Sequence, residues 1–156
     1  MNNAFTELMK RPDIEQAMTT YTEMTAKIRD ALTAEFGRTW DQDDDLSGGG
    51  CESDFPGVDA DGETRILPRW DSPGNLPDDQ WARAEATVGK IAATYGFHPE
   101  PEILINRPGD HEVVYRKPDG ARITFGTAVN TPLSVATGCH LTAEAHQRGT
   151  PKSGRG

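Results

Sequence analysis

No window of this 156-residue sequence comes near the 18 or so consecutive apolar residues that a membrane-spanning helix requires, so none is expected. Apolar residues are scarce altogether, at 35% of the chain with aromatics at 7%. That supply supports one core, and parts of the chain must stay outside it. Basic residues are outnumbered: 16 lysines and arginines stand against 25 acids, a net charge of −9. A surface of that sign repels a phosphate backbone and an anionic bilayer alike, which excludes nucleic acid as a partner.

Motifs that carry chemistry are also missing. Gly-x-Ser-x-Gly, a phosphate loop and His-Glu-x-x-His do not occur. His98-Pro99-Glu100 has the spacing of a zinc-deaminase opening but lacks the Pro-Cys-x-x-Cys partner. Four scattered histidines (His98, His111, His140, His146) and two cysteines without Cys-x-x-Cys offer no zinc spacing. The expectation is a non-enzymatic domain with no cofactor; an unrecognised hydrolase or transferase site would need His98 or His140 beside acids. Met1 to Arg11 carry neither a basic n-region nor an apolar h-region. This predicts either a cytosolic chain or a mature form whose export signal is missing.

The cysteines are read by context. Cys51 follows Ser47-Gly48-Gly49-Gly50, small residues like those before a lipidated cysteine, but Asp41, Asp43, Asp44 and Asp45 upstream exclude that, because a lipidation site follows an apolar stretch. Cys139 continues the alternation Leu133, Val135, Thr137, Cys139, Leu141 and is expected on the apolar face of a strand. Two readings remain: two unpaired thiols in a cytosolic protein, or a disulfide that ties a glycine-rich loop to the end of the fold. The bridge would close a loop of 88 residues, worth roughly 4 to 5 kcal/mol on a chain-entropy account.

What is present patterns clearly in places. Ile14, Met18, Tyr21, Met24, Ile28, Leu32 and Phe36 form a helical stripe between Pro12 and Gly37. Trp81, Ala84, Val88, Ile91 and Tyr95 form a second between Pro77 and Gly96, with Gly89 inside it predicting close approach by another element. Arg65 to Trp70 is a short strand that Pro68 assigns to an edge. The runs 103–105, 112–116, 122–128 and 133–141 read as strands, and Lys117-Pro118-Asp119-Gly120-Ala121 as the turn of a hairpin. The class is α+β: two amphipathic helices packed on one face of an antiparallel sheet, in the order helix, short strand, helix, β-meander. Residues 1–11 are expected to be a flexible N-terminus, 12–141 the domain and 142–156 a disordered tail.

Few residues offer themselves as a site. Asp41, Asp43, Asp45 and Glu52 fall at positions 1, 3, 5 and 12 of a calcium-loop template. Leu46 stands where that template needs glycine and Gly48 where it needs an apolar residue, which favours a solvated acidic loop over a calcium-binding module. Trp40 and Trp70 are candidate groove residues, although in a chain with few large side chains Trp40, Trp70 and Trp81 are more readily core.

A helix followed by Thr39-Trp40, the run Asp43-Asp44-Asp45, the loop Cys51, the helix end Tyr95-Gly96 and the strand end Thr137-Gly138-Cys139 together resemble the mycobacterial LppA-type lipoproteins. The likeness spans residues 12–141. It implies export to the cell envelope, a lipid anchor on a cysteine upstream of this chain as the sole membrane contact, and a Cys51–Cys139 disulfide. It brings no assigned reaction, so the expectation is an extracytoplasmic domain that binds another envelope or secreted protein or a small ligand.

Overall fold

Two helices open the chain, α1 (Asn3–Met9) and α2 (Ile14–Phe36), in a computed structural model that describes residues 3–43 and 47–152. Asp13 starts α2: its carboxylate accepts the Gln16 N–H while the Gln16 side chain accepts the Asp13 N–H, satisfying two orphan donors reciprocally. Gly37 ends it in the left-handed region at φ 67°, its N–H bonded to the Thr33 carbonyl. Tyr21, Met24, Ile28 and Leu32 then face the sheet, beside Trp81, Ala84, Val88 and Ala92 of α3 (Asp78–Ala93).

Among the described residues, nine strands join in an antiparallel sheet. Its meander is β5 (Glu102–Arg107), β6 (Asp110–Arg116), β7 (Arg122–Thr127) and β8 (Thr131–Ala136). The β6–β7 hairpin turns through Lys117–Ala121, with the Gly120 N–H on the Lys117 carbonyl and Gly120 at φ 98°. At the outer edge, β5 shifts register between Ile103 and Ile105 and leaves Ile103 and Leu104 exposed. On its far side β8 pairs with both β3 (Gly62–Ile66) and β4 (Trp70–Ser72), which are in turn covered by β2 (Ser47–Gly49) and β1 (Asp41–Gln42). The segment around Pro68 is therefore interior and not an edge. Pro68 is accommodated because it falls in the break between β3 and β4, where no ladder bond is asked of it.

Residues directly opposed in an antiparallel sheet share a face. Val113, Tyr115, Ile123, Phe125, Leu133 and Val135 make up the face covered by α2 and α3. Arg116, Arg122, Thr124, Ser134, Ala136 and Ile66 belong to the opposite face, which those helices leave open.

The expected single strand 133–141 is broken at Thr137–Cys139. The Thr137 hydroxyl donates to the Gly138 carbonyl and accepts the Arg65 N–H, turning the chain out of line. It resumes as β9 (His140–Leu141) on β3, so Cys139 sits between strands and not on a strand face. Both ends of the chain also depart from expectation. The helix α1 buries Phe5 and Leu8, and α4 (Ala143–Arg148) follows Thr142, whose hydroxyl accepts the Ala145 N–H. Among the described residues there are thus four α-helices, and α1, α4, Val58 and Leu141 build a second core around the two cysteines. The stretch 41–62, which carries the acidic and glycine-rich loop, holds β1, β2 and a 3-10 turn, Asp59–Asp61.

Gly89 bears out its reading. A Cβ there would lie 2.5 Å from the Pro99 carbonyl oxygen and 3.2 Å from the Tyr115 ring. Gly89→Ala is expected to lower stability by about 1 to 3 kcal/mol in urea unfolding, because overpacking outweighs the roughly 1 kcal/mol gained in helix propensity. A raised unfolding midpoint would show the helix free to move away.

Candidate functional site

The tract Ser47–Gly50 has no apolar side chain with which to anchor itself, and the next residue supplies a covalent anchor. Cys51 and Cys139 are disulfide-bonded with Cα atoms 5.8 Å apart, buried among Phe5, Leu8, Val58, Leu141 and Ala145. Gly62 passes against the bridge: a Cβ there would stand 3.3 and 3.4 Å from the two sulfurs. The loop after Cys51 is thereby fixed beside the corner of the open sheet face.

Between loop and sheet lies a cavity of about 310 Å³. Ser53, Asp54 and Phe55 line it from the loop, Ile66, Arg122 and Ala136 from the open face, and Gly120 and Gly138 from the two turns. Arg122 is exposed and, among the described residues, its guanidinium has no partner. Every other described arginine has one. Arg65 pairs with Glu15 and Glu63 at 2.8 Å each, Arg116 with Glu102, Arg107 with Asp110, Arg148 with Asp61, Arg69 with Asp71 and Arg83 with Glu35. Arg29 covers the Trp70 ring at 3.6 Å, while Arg11 and Arg38 donate to backbone carbonyls. Two further hollows, of about 890 Å³ beside Asn3 and Lys152 and about 370 Å³ beside Val129, contain no unpaired guanidinium.

The turn that lines this cavity also carries a half-buried polar cluster. Asp119 Oδ2 is 3.9 Å from both Lys117 Nζ and His140 Nε2, and Lys117 donates to the Tyr21 hydroxyl at 3.0 Å. Arg11 donates to the carbonyls of Asp119 and Cys139, joining the start of α2 to both turns. His140 is buried and donates from Nδ1 to the Pro12 carbonyl at 2.8 Å, which leaves Nε2 an acceptor without a partner among the described residues. Burial holds the His140 pKa below its ordinary value. The Pro12 carbonyl and Asp119 oppose that shift, while Arg11 and Lys117 add to it. Burial likewise pushes the Tyr21 hydroxyl up, with Asp119 adding to the effect.

The residues singled out from the sequence are dispersed. Asp41 stands on β1 opposite Asp71, the Asp43 N–H bonds to the Arg69 carbonyl, and Glu52 accepts the Asp59 N–H at 3.3 Å. Asp45 lies outside the described residues. Among the described residues no three His, Cys, Asp or Glu side chains converge as metal ligands. Trp40 and Trp70 pack against the main core and neither lines the cavity. His111 bonds Asp78 and Asn106 and stacks on Trp81, and His146 bonds the Arg11 carbonyl. Arg122 was not singled out from the sequence, where nothing distinguishes an unpaired arginine from a paired one.

The family model described as LppA, a lipoprotein confined to pathogenic Mycobacterium, matches residues 1–143. The chain belongs to the LppA lipoprotein family. The crystal structure of LppA from Mycobacterium tuberculosis is similar, with a TM-score of 0.72 at 16% identity over 91% of this chain and 86% of that one. A DUF4853 family protein from Actinomyces odontolyticus is also similar, with a TM-score of 0.57 at 11% identity over 85% and 71%. At these identities the likeness is one of fold. No curated protein matches. Membership of a lipoprotein family suggests a location at the cell envelope, and LppA members have no assigned reaction.

Two outcomes follow from the geometry. Reducing the disulfide is expected to cost roughly 3 to 5 kcal/mol in urea unfolding and to raise amide exchange in α1 and α4; an unchanged midpoint would contradict its role as anchor of the second core. His140, with its folded pKa below the unfolded 6.5, contributes full stability above that pH and loses it as pH falls. The ionisable groups that face it are Arg11, Lys117, Asp119 and Glu63 (opposite on β3), and the interval that reports on the imidazole itself runs from about pH 7 to 5.5. Thermal unfolding should therefore show the melting temperature dropping over that interval, and dropping less in His140→Gln; equal slopes would refute the assignment.

Proposed function

We propose that this LppA family domain is an extracytoplasmic, non-enzymatic binding module, whose site is the cavity between the disulfide-tethered loop and the open sheet face. The observation that carries this reading is Arg122. An unpaired guanidinium in a cavity wall, in a chain where acids outnumber bases and the other described arginines are engaged, is poised to receive a ligand and not to hold the fold.

Two further features support it. Catalysis by a histidine needs a nucleophile or substrate within hydrogen-bond reach. The described ring hydrogen bonds of His111, His140 and His146 are instead to Asp78, Asn106 and backbone carbonyls, and the acid near His140, Asp119, stands 3.9 Å away, beyond hydrogen-bond reach. A structural disulfide is also suited to an oxidising compartment, which fits the envelope location of a lipoprotein family.

The test is a fragment screen by NMR on the oxidised, isotope-labelled domain, with ester, phosphomonoester and glycoside substrates assayed in parallel. Hits are expected to shift the amides of Gly50, Thr64, Gly120, Arg122 and Gly138 as one set, with no turnover. Turnover lost in His98→Gln or His140→Gln, or a screen that leaves those amides unmoved, would overturn the reading.

A further inference from the structure

Arg122 stands directly opposite Arg116 across the β6–β7 ladder and opposite Ala136 on the other side. Like charges facing each other in a sheet cost stability. Arg116 is drawn away to Glu102 at 2.9 Å, and Arg122 is left with a cation on one flank and a methyl group on the other. Acids are plentiful in this chain, so the missing counter-ion is not a matter of supply.

The facing wall has the complementary character. Asp54 lines the cavity on the loop pinned by Cys51, and no partner for its carboxylate is present among the described residues. Phe55 and Ile66 add apolar surface to an otherwise largely polar lining. Of the charged groups in the lining, Arg65 is held by Glu15 and Glu63 and Asp119 accepts the Ala121 N–H, which leaves one unpaired cation on the strand and one unpaired anion on the loop to complement a molecule that carries a carboxylate and an ammonium. A volume of about 310 Å³ is at the lower end of the range of ligand sites, which limits the occupant to a small molecule or a short chain end.

Resting on the binding reading above, we infer that the cavity takes a small zwitterion, an amino acid or dipeptide, its carboxylate forked on Arg122 and its ammonium facing Asp54. A dianion such as phosphate is a poor occupant. It would meet one free guanidinium, because Arg65 is already held by Glu15 and Glu63, and it would bring a second negative charge to Asp54 with no ammonium to answer that carboxylate. A carboxylate carries one charge, and its planar pair of oxygens matches a single guanidinium fork.

The experiment titrates the oxidised full chain with L-alanyl-L-alanine, its N-acetyl derivative, its C-terminal amide and inorganic phosphate, following amide shifts and heat. Dialanine is expected to move the amides of Gly120, Arg122 and Gly138. Loss of one charge-assisted pair should weaken binding about tenfold or more, in Arg122→Gln or with the C-terminal amide. The N-acetyl derivative should bind the wild type about tenfold more weakly, with that difference abolished in Asp54→Asn. Arg122 is exposed, so melting curves of both variants are expected to overlay that of the wild type. Equal dialanine affinity in Arg122→Gln, or phosphate binding more tightly than dialanine, would overturn the zwitterion assignment. Other fragments moving the same amides while dialanine does not would sink this inference and leave the binding reading intact; no probe moving them would remove both.

Discussion

The bond between Cys51 and Cys139 joins two segments far apart in sequence: a loop that follows a glycine tract, and the turn at which the last long strand breaks off. Around it gather Phe5 and Leu8 from one end of the chain and Ala145 from the other, so the bridge is the nucleus of a core that the remaining side chains are too small or too few to form alone. Glycine at position 62 lets β3 run within contact of both sulfurs. Electrostatics reinforce the same junction: Arg11 reaches the carbonyls of Asp119 and Cys139, and Arg148 engages Asp61. A charged side chain that serves several backbone carbonyls at once fixes direction as well as distance.

Fixing that loop creates the asymmetry on which the proposed binding site rests. A bare antiparallel sheet face offers a shallow surface, and a small ligand needs a second wall to be desolvated. The tethered loop provides that wall at one corner of the face, where the hairpin turn and the broken strand also meet. The acidic character of the chain then makes a cation without a described partner in that corner a feature of local placement, since the average surface would attract cations and not anions.

Periodicity made the interior legible. The stripes from Ile14 to Phe36 and from Trp81 to Tyr95 place both long helices to within about two residues, as capping uncertainty allows. The proline-aspartate-glycine turn at 118–120 located the hairpin, and Gly89 announced the close approach of Pro99. The ends were misjudged because short helices carry weak signals. Phe5 and Leu8 are spaced three apart on one helix face, and Thr142 with Gly149 brackets α4 as cap and stop, yet neither window is long enough for a period to stand out from composition. The break at Thr137–Cys139 was masked by an alternation that continues through it. Its cause is non-local: a Cβ on Gly138 would lie 2.0 Å from the Asp119 carbonyl oxygen, a contact that only the folded hairpin reveals. The cavity was hidden for the same reason, since its walls come from loop, hairpin turn and strands far apart in the chain.

The irregular outer strand β5 has a bearing on how copies of the protein behave together. Ile103 and Leu104 are 60% and 49% exposed on a strand whose outward peptide groups are unpaired in the sheet, the combination that templates fibrous stacking. The register shift between Ile103 and Ile105 interrupts that template after two residues on one side, and Pro101 and Pro108 close it off beyond each end. A sticky border is thereby kept short and interrupted, which works against edge-to-edge stacking of one copy on another.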